Sequence, residues 1–288
     1  MGKTAHDENY ALKVVLHAHP HFYRPSDKSG RLYKKLFPIP SLRDIVENAF
    51  ENAIGICALS SCHTPTSGMD DRFFSYMSQA QYLTNDFNIN YNKKEGWARF
   101  ERNRKIRKDI EKMQLSSIII LHTQEVRTLY DGETADINVI GLEDLVPHSQ
   151  DTEKTISDVS SNGGFSIVCH PSDVVDSLPL EKTIKLVKEE KVFFEEFNAL
   201  SAGELNNQRY EESVLDGVKG ISVSDAHHYQ DTDISYILCN HNLLEDFSIK
   251  YLEEKLKKKD YEIFPKSMPL IKVFNYHILP ILMSKFHL

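Results

Sequence analysis

The chain has 288 residues, of which 41% are hydrophobic and 26% charged, enough apolar material for a sizeable core and too much for wholesale disorder. A formal net charge of −8 argues against broad, non-specific binding to a nucleic-acid backbone, while leaving room for a local basic groove or a small phosphorylated substrate. The four cysteines (Cys57, Cys62, Cys169 and Cys239) form no C-x-x-C pair, so no disulfide framework is expected and a reducing cytoplasm fits best. No run reaches the roughly 20 apolar residues of a membrane helix, and residues 1–8 lack the apolar stretch of a secretory signal.

In chain order, the apolar pattern predicts a first strand over 12–16 and a helix over 42–54. That helix has Leu42, Ile45, Val46, Ala49 and Ala53 on one side, Ser41 as N-cap and Gly55 as its end. A strand over 56–59 follows, then a strongly charged helix over 96–114 with Trp97, Phe100, Ile106, Ile110 and Met113 as its apolar stripe. Strands are expected at 118–121, 137–142 and 165–169, the last entered through the turn Gly163-Gly164. A helix over 180–189, strands over 192–197 and 220–224, a helix over 243–259 and a short strand near 261–264 complete the series. Strand then helix, repeated about seven times, predicts a parallel sheet or barrel. One domain over 1–288 is expected, with 64–115 as an insertion or lid and 265–288 as an apolar C-terminal extension that docks on the barrel or on a partner.

The polar residues fall in a pattern. His17 and His19 follow the first strand, His63 the second, Glu125 the third, His170 a later one, and Asp225 and His227 another. In a barrel of parallel strands those ends converge on one face, where active sites are built. His-x-His and Asp-x-His at strand ends point both side chains the same way, since alternate residues share a face. Imidazole and carboxylate donors suit Zn, Mn and Fe, and a Glu offers two oxygens that can bridge two cations. Each residue alone is ordinary; four strand ends that all supply ligand-type side chains are not.

This ordered set resembles the PHP (polymerase and histidinol phosphatase) family, with His17-Ala18-His19, Cys62-His63, Glu125, His170-Pro171 and Asp225-Ala226-His227 as its motifs. Glu196-Phe197-Asn198 resembles the family's E-x-N strand. The resemblance implies an α/β fold, a distorted (β/α)7 TIM-like barrel of the PHP type, and a phosphoesterase with two or three divalent metal ions. Carried onto this chain, it gives one metal His17, His19, Glu125 and Asp225, a second Glu125 and His170, and a third His63 and His227. Glu125, Asp225 and His227 are then the catalytic residues, with a metal-activated hydroxide as nucleophile.

The chain departs from the family at Cys62, where an Asp is usual. The thiol admits two readings, a thiolate ligand or a small strand-end residue. Where the family places a further His, this chain has Asp136 and Asn138, Asn138 closer in register and Asp136 the better ligand. Arg24, Arg127, Arg209 and His228 flank the motifs and are candidates for holding a phosphate. Arg99, Arg102, Arg104, Lys105, Arg107 and Lys108 read first as a solvated helix face, being mixed with Glu101, Asp109 and Glu111. The expected partner is a small phosphorylated substrate or nucleotide, with no membrane involved. Two other readings stay open: a nuclease-type diesterase acting on nucleic-acid ends, and a non-catalytic metal-binding or partner-binding module.

Overall fold

The structure is a computed structural model that describes residues 12–19, 40–65, 69, 72–103, 115–173, 176–189, 192–201 and 203–270. Arg24, the 104–114 part of the expected charged helix, and 271–288 of the expected C-terminal extension lie outside the described residues.

Strand β1 (Leu12–Val15) is buried on both faces and pairs in parallel with β2 (Ile54–His63). Helix α1 (Leu42–Glu51) joins them. Its start is the one the sequence predicts: Ser41 accepts from the Asp44 backbone N–H while Asp44 returns the bond to the Ser41 N–H, a reciprocal cap. Its end is not. The helix stops at Glu51, Ala53 takes a left-handed conformation, and Gly55 lies inside β2. A Cβ on Gly55 would sit 1.8 Å from Leu12 Cδ1, so the glycine serves close strand packing and not helix termination.

Helix α2 (Arg72–Gln79) and a 3₁₀ turn lead into the hairpin β3 (Phe87–Asn92) and β4 (Trp97–Arg102). Here the expected helix is corrected to a strand. β4 pairs antiparallel with the first half of β5 (Ser117–Tyr130), and Phe100 packs edge-on to Phe87. Sheet pairing overrides the helical charge pattern. Arg102 is no solvated surface charge: it pairs with Glu47 and lies over the rings of Phe50 and Phe87.

β5 is long enough to have β2 along one side and two successive partners on the other, β4 and then β6 (Glu133–Ile140). β6 runs antiparallel to both β5 and β7 (Phe165–Val168), which corrects the expectation of an all-parallel sheet. Parallel order resumes through β8 (Phe193–Asn198) and β9 (Ile221–Val223), with helices α3 (Thr152–Ser161), α4 (Leu180–Lys188) and α5 (Gly203–Leu215) between them. β10 (Tyr236–Cys239) then runs antiparallel against β1, and β11 (Glu262–Phe264) antiparallel against β10. Between them the expected single helix is two, α6 (Asn242–Glu245) and α7 (Ile249–Lys257), because Ser248 caps a new start by accepting from the Tyr251 N–H.

The strand order is β11-β10-β1-β2-β5-β6-β7-β8-β9, and the two ends nearly meet. Ser222 on β9 hydrogen-bonds Ser235 beside β10 at 2.5 Å. At the rim, the segment after β1 reaches the segment after β9 directly, through His19 N–H to Ala226 O and Asp225 N–H to His17 O. The result is a distorted TIM-like barrel. A second apolar layer, with Ile137, Ile156, Val168, Ile184 and Phe194, seals the outer face of β5–β8 under α3 and α4. Among the described residues, no helix is long and apolar enough to cross a membrane.

Candidate metal centre

His17 and His19 sit on the rim segment that β1 extends, both buried. Their backbone is fixed from two sides, by the bonds to Asp225 and Ala226 and by Ser60 N–H donating to Ala18 O. His17 Nδ1 lies 2.6 Å from Glu195 Oε1, and His19 Nδ1 lies 2.8 Å from Ser60 O. A carboxylate and a carbonyl only accept, so both Nδ1 atoms carry the proton and both Nε2 atoms carry the lone pair. Those two Nε2 atoms are 3.0 Å apart. Two lone pairs at that distance repel, so a proton or a cation belongs between them.

Carboxylates surround the same point. Glu125 Oε2 is 3.2 Å from His19 Nε2, while its Oε1 is 3.7 Å from His17 Nε2 and 3.4 Å from His170 Nε2. Asp225 Oδ1 is 3.7 Å from the Nε2 of both His17 and His19, and 3.6 Å from His227 Nε2. The two oxygens of Glu125 thus face different imidazoles, the disposition a bridging ligand needs.

The site holds positive charge. Burial opposes a proton on His17, yet Asp225, Glu195 and Glu125 together raise it to about 10. Burial likewise opposes charge on His170, and the contact with Glu125 and the field of Glu195 raise it to about 9. Burial would neutralise Asp225 and Glu125, but the imidazoles facing them hold both carboxyls well below the usual range. Protons here occupy the place of a cation. Two imidazoles and two carboxylates, oriented by Glu195 and the Ser60 carbonyl, fit a divalent metal ion.

A second group shares Glu125. Donor atoms of Glu125, Asp136 and His170 all lie within 4.8 Å of one another, and so do those of His17, Glu125 and Cys169. Asp136 belongs to β6, opposite Arg127 in register, as Asn138 is opposite Glu125. Arg127 Nε and Nη2 donate to the two Asp136 oxygens at 3.1 and 3.2 Å, and Nη2 also pairs with Asp176. Burial, then the charge of Glu125, pushes Asp136 up to about 6. Asn138 donates to Leu16 O at 2.8 Å, and among the described residues its Oδ1 has no hydrogen-bond partner, nor has Nδ1 of His170. Burial raises the Cys169 thiol well above its ordinary range, which disfavours the thiolate.

The remaining predicted residues stand at the edge of the cluster or away from it. His63 is buried at the end of β2, one residue past the register partner of Glu125, with Nδ1 donating to Val146 O at 2.9 Å. His227 packs 4.9 Å from the His19 ring. Its neighbour His228 caps a 3₁₀ turn, accepting from Gln230 N–H. Arg127 faces Asp136 and Asp176. Arg209 is fully buried, its guanidinium spent on Pro171 O, Ser201 Oγ, Asn206 Oδ1 and Asp173 Oδ1. Four of its five N–H donors are thus engaged, and the side chain is sealed from solvent. A cleft of 910 Å³ elsewhere on the barrel, lined by Ile156, Phe193, Lys219 and Leu256 among others, includes none of these residues.

The E-x-N likeness needs a correction. Glu196 turns away, accepting from Ser213 Oγ and Gly220 N–H. Glu195 is the carboxylate at the site, with one oxygen on His17 and the other accepting from His170 N–H and Asn198 Nδ2. Asn198 Nδ2 also donates to Asp225 Oδ2 at 3.1 Å. The register of β8 on β9 shifts between Glu195 and Phe197, and this irregularity brings Glu195 and Asn198 onto one face despite their odd spacing. Backbone is strained here too: His170 and Asp225 both have positive φ, 31° and 45°.

A mixed α/β barrel with His, Asp and Glu gathered at one rim defines the class of protein. The fold is a distorted TIM-like barrel, and its coordinates are similar to those of known proteins. The chain is similar to a two-domain protein from Bacteroides vulgatus containing a predicted PHP-like metal-dependent phosphoesterase, with a TM-score of 0.54 and 16% identity over 89% of this chain and 66% of that one. It also aligns with the lesion-specific endonuclease PfuEndoQ from Pyrococcus furiosus, with a TM-score of 0.48 and 11% identity over 88% of this chain and 57% of that one. A third alignment, to PsfC from Pseudomonas syringae, has a TM-score of 0.49 and 11% identity over 97% of this chain and 100% of that one. The chain thus spans less than two thirds of the length of the first two. No protein-family model matches the sequence, and no curated protein matches it by sequence.

Proposed function

We propose that the protein is a metal-dependent phosphoesterase that hydrolyses a phosphoester of a small phosphorylated metabolite or nucleotide. The observation that carries the reading is the pair of facing Nε2 atoms of His17 and His19, 3.0 Å apart and ringed by Glu125 and Asp225. Histidines whose far nitrogens are held by acceptors in this way present their Nε2 atoms to a shared divalent cation.

In this reading His17, His19, Glu125 and Asp225 hold one metal, Glu125 and His170 a second, and His63 and His227 a third where it is filled. Bound Zn, Mn or Fe ions would supply an activated water and neutralise charge on the phosphoryl oxygens. The chain's own residues do the positioning. Glu195 fixes the His17 tautomer, Asn198 orients Asp225, and Glu125 spans the two positions. Where the third position is empty, His227, on Asp225 and at the cluster's edge, would hand a proton to a leaving oxygen, and His228 beside it is a candidate contact for the substrate. Residues 64–115 would form an insertion or lid, and 265–288 a C-terminal extension. The PHP-like phosphoesterase fold of the Bacteroides vulgatus protein supports the reading.

The test is metal analysis of the purified chain with a phosphatase screen. Bound divalent metal, and phosphate release that stops on chelation and in Asp225→Asn, is the expected result. No bound metal and no metal-dependent release from sugar phosphates, nucleotides or 5′-phosphorylated oligonucleotides would end it. Cleavage of the oligonucleotide's internal bonds alone would shift the reading to a nuclease-type diesterase.

A further inference from the structure

We infer that Asp136 is the third protein ligand of the second cation position, and that Arg127 is the positioning residue that holds it there, which makes that position selective for an oxygen-seeking cation such as Mn²⁺ over Zn²⁺. The inference rests on the reading of the rim as a metal centre and adds to it a ligand and a preference.

Three observations carry it. First, Asp136 reaches the site from β6, the antiparallel strand that sits between β5 and β7, so its carboxylate stands between the elements that supply Glu125 and His170. The donor atoms of all three lie within 4.8 Å of one another, and Asp136 is 5% exposed. Second, Arg127 takes both Asp136 oxygens in a fork, at 3.1 and 3.2 Å. A carboxylate has about four lone-pair directions and Arg is planar and permanently charged, so the fork fixes the carboxylate plane and still leaves each oxygen a lone pair. Arg127 is itself anchored on Asp176, whose backbone O accepts from the Asp136 N–H, so the fork and the strand are tied together. Third, the donor sets differ. The first position has two imidazoles and two carboxylates; the second has one imidazole and two carboxylates. Carboxylate-rich sites suit Mg and Mn, and imidazole-rich sites suit Zn.

Arg127 is therefore no substrate clamp. Its charge offsets a third carboxylate that a shared site would otherwise have to carry unbalanced.

The experiment uses the full chain, stripped with a chelator and dialysed against Mn²⁺, Zn²⁺ or an equimolar mixture. Bound metal is counted by elemental analysis, affinity is measured by calorimetry, and folding is checked by circular dichroism. Two cations per wild-type chain are expected, and from the mixture the chain should keep one Mn²⁺, at the second position, beside one Zn²⁺. Asp136→Asn should lose one Mn²⁺ equivalent and keep the other. Arg127→Gln, which leaves the ligand in place, should weaken that equivalent by about 10- to 100-fold, the usual effect of losing an outer partner of a ligand. Asp136→His should restore two equivalents and favour Zn²⁺. Retention of both Mn²⁺ equivalents at unchanged affinity in Asp136→Asn and in Arg127→Gln overturns the inference and leaves the metal centre standing. A wild-type chain that takes up no cation overturns both. Should Asp136→Asn fail to fold, Arg127→Gln decides alone.

Discussion

Glu195 Oε1 lies 2.6 Å from His17 Nδ1, and both side chains are completely buried. A buried carboxylate behind an imidazole has two effects: it fixes which nitrogen is bare, and it makes that nitrogen more basic. Glu195→Gln keeps the shape, removes the charge, and offers an amide that can present its N–H₂ to Nδ1. The expected outcome is a 10- to 100-fold loss of metal affinity with little change in fold. Competition against a chromogenic chelator measures it. Unchanged affinity would mean that Glu195 serves only to tie the His170 backbone.

The raised imidazoles make a prediction about pH. His17 and His170 titrate near 10 and 9 in the cation-free protein, above the 6.5 of an unfolded chain. Each therefore contributes stability that is fully present below about pH 6.5 and is lost as the pH rises through 9 and 10. The melting temperature of the chelated protein should fall across that window, and that of the metal-loaded protein should fall less. Metal uptake at pH 7.5 must also expel these protons. Calorimetry in two buffers of different ionisation enthalpy should give different heats; identical heats would contradict it.

Part of this site was legible because strand ends alternate. His17 with His19 and Asp225 with His227 stand at i and i+2, and the structure sets each pair beside the other through the rim hydrogen bonds of Ala18 and Ala226. Glu195 was not legible. Its partner Asn198 is three residues on, and only a register shift in β8 puts both on one face. Regular strand alternation points instead to Glu196, two before Asn198. Asp136 was legible only as an alternative to Asn138: β6 runs antiparallel, so the residue lies within a strand and not after one. In β4, charge hid the strand, because Arg99 and Arg102 are held by the Leu244 and Glu245 carbonyls and by Glu47, contacts that a periodicity reading does not contain.

Gly164 leads into β7, the strand that His170 follows. A Cβ there would lie 2.5 Å from the carbonyl oxygen of Ile140, a backbone atom that cannot rotate away. Gly164→Ala should force β7 off β6 and cost about 1–3 kcal/mol, the range for overpacking. Urea unfolding gives the stability. Because β7 carries His170 toward Glu125, metal affinity should fall in the same variant.

Arg209 separates a structural from a substrate role. Its guanidinium donates to Pro171 O at 2.7 Å and to Asp173 Oδ1 at 2.7 Å, so it pins the turn that follows His170 onto α5. Removing one partner of a buried pair leaves the other poorly satisfied, at a cost of roughly 3 kcal/mol, the low end of the usual range because Asp173 is partly exposed. Arg209→Met should lower the unfolding midpoint by that amount. A substrate clamp would instead raise KM in a chain of normal stability, since it would remove binding and nothing else. Stability and KM measured on the one variant therefore decide between the roles, and the geometry predicts that stability moves.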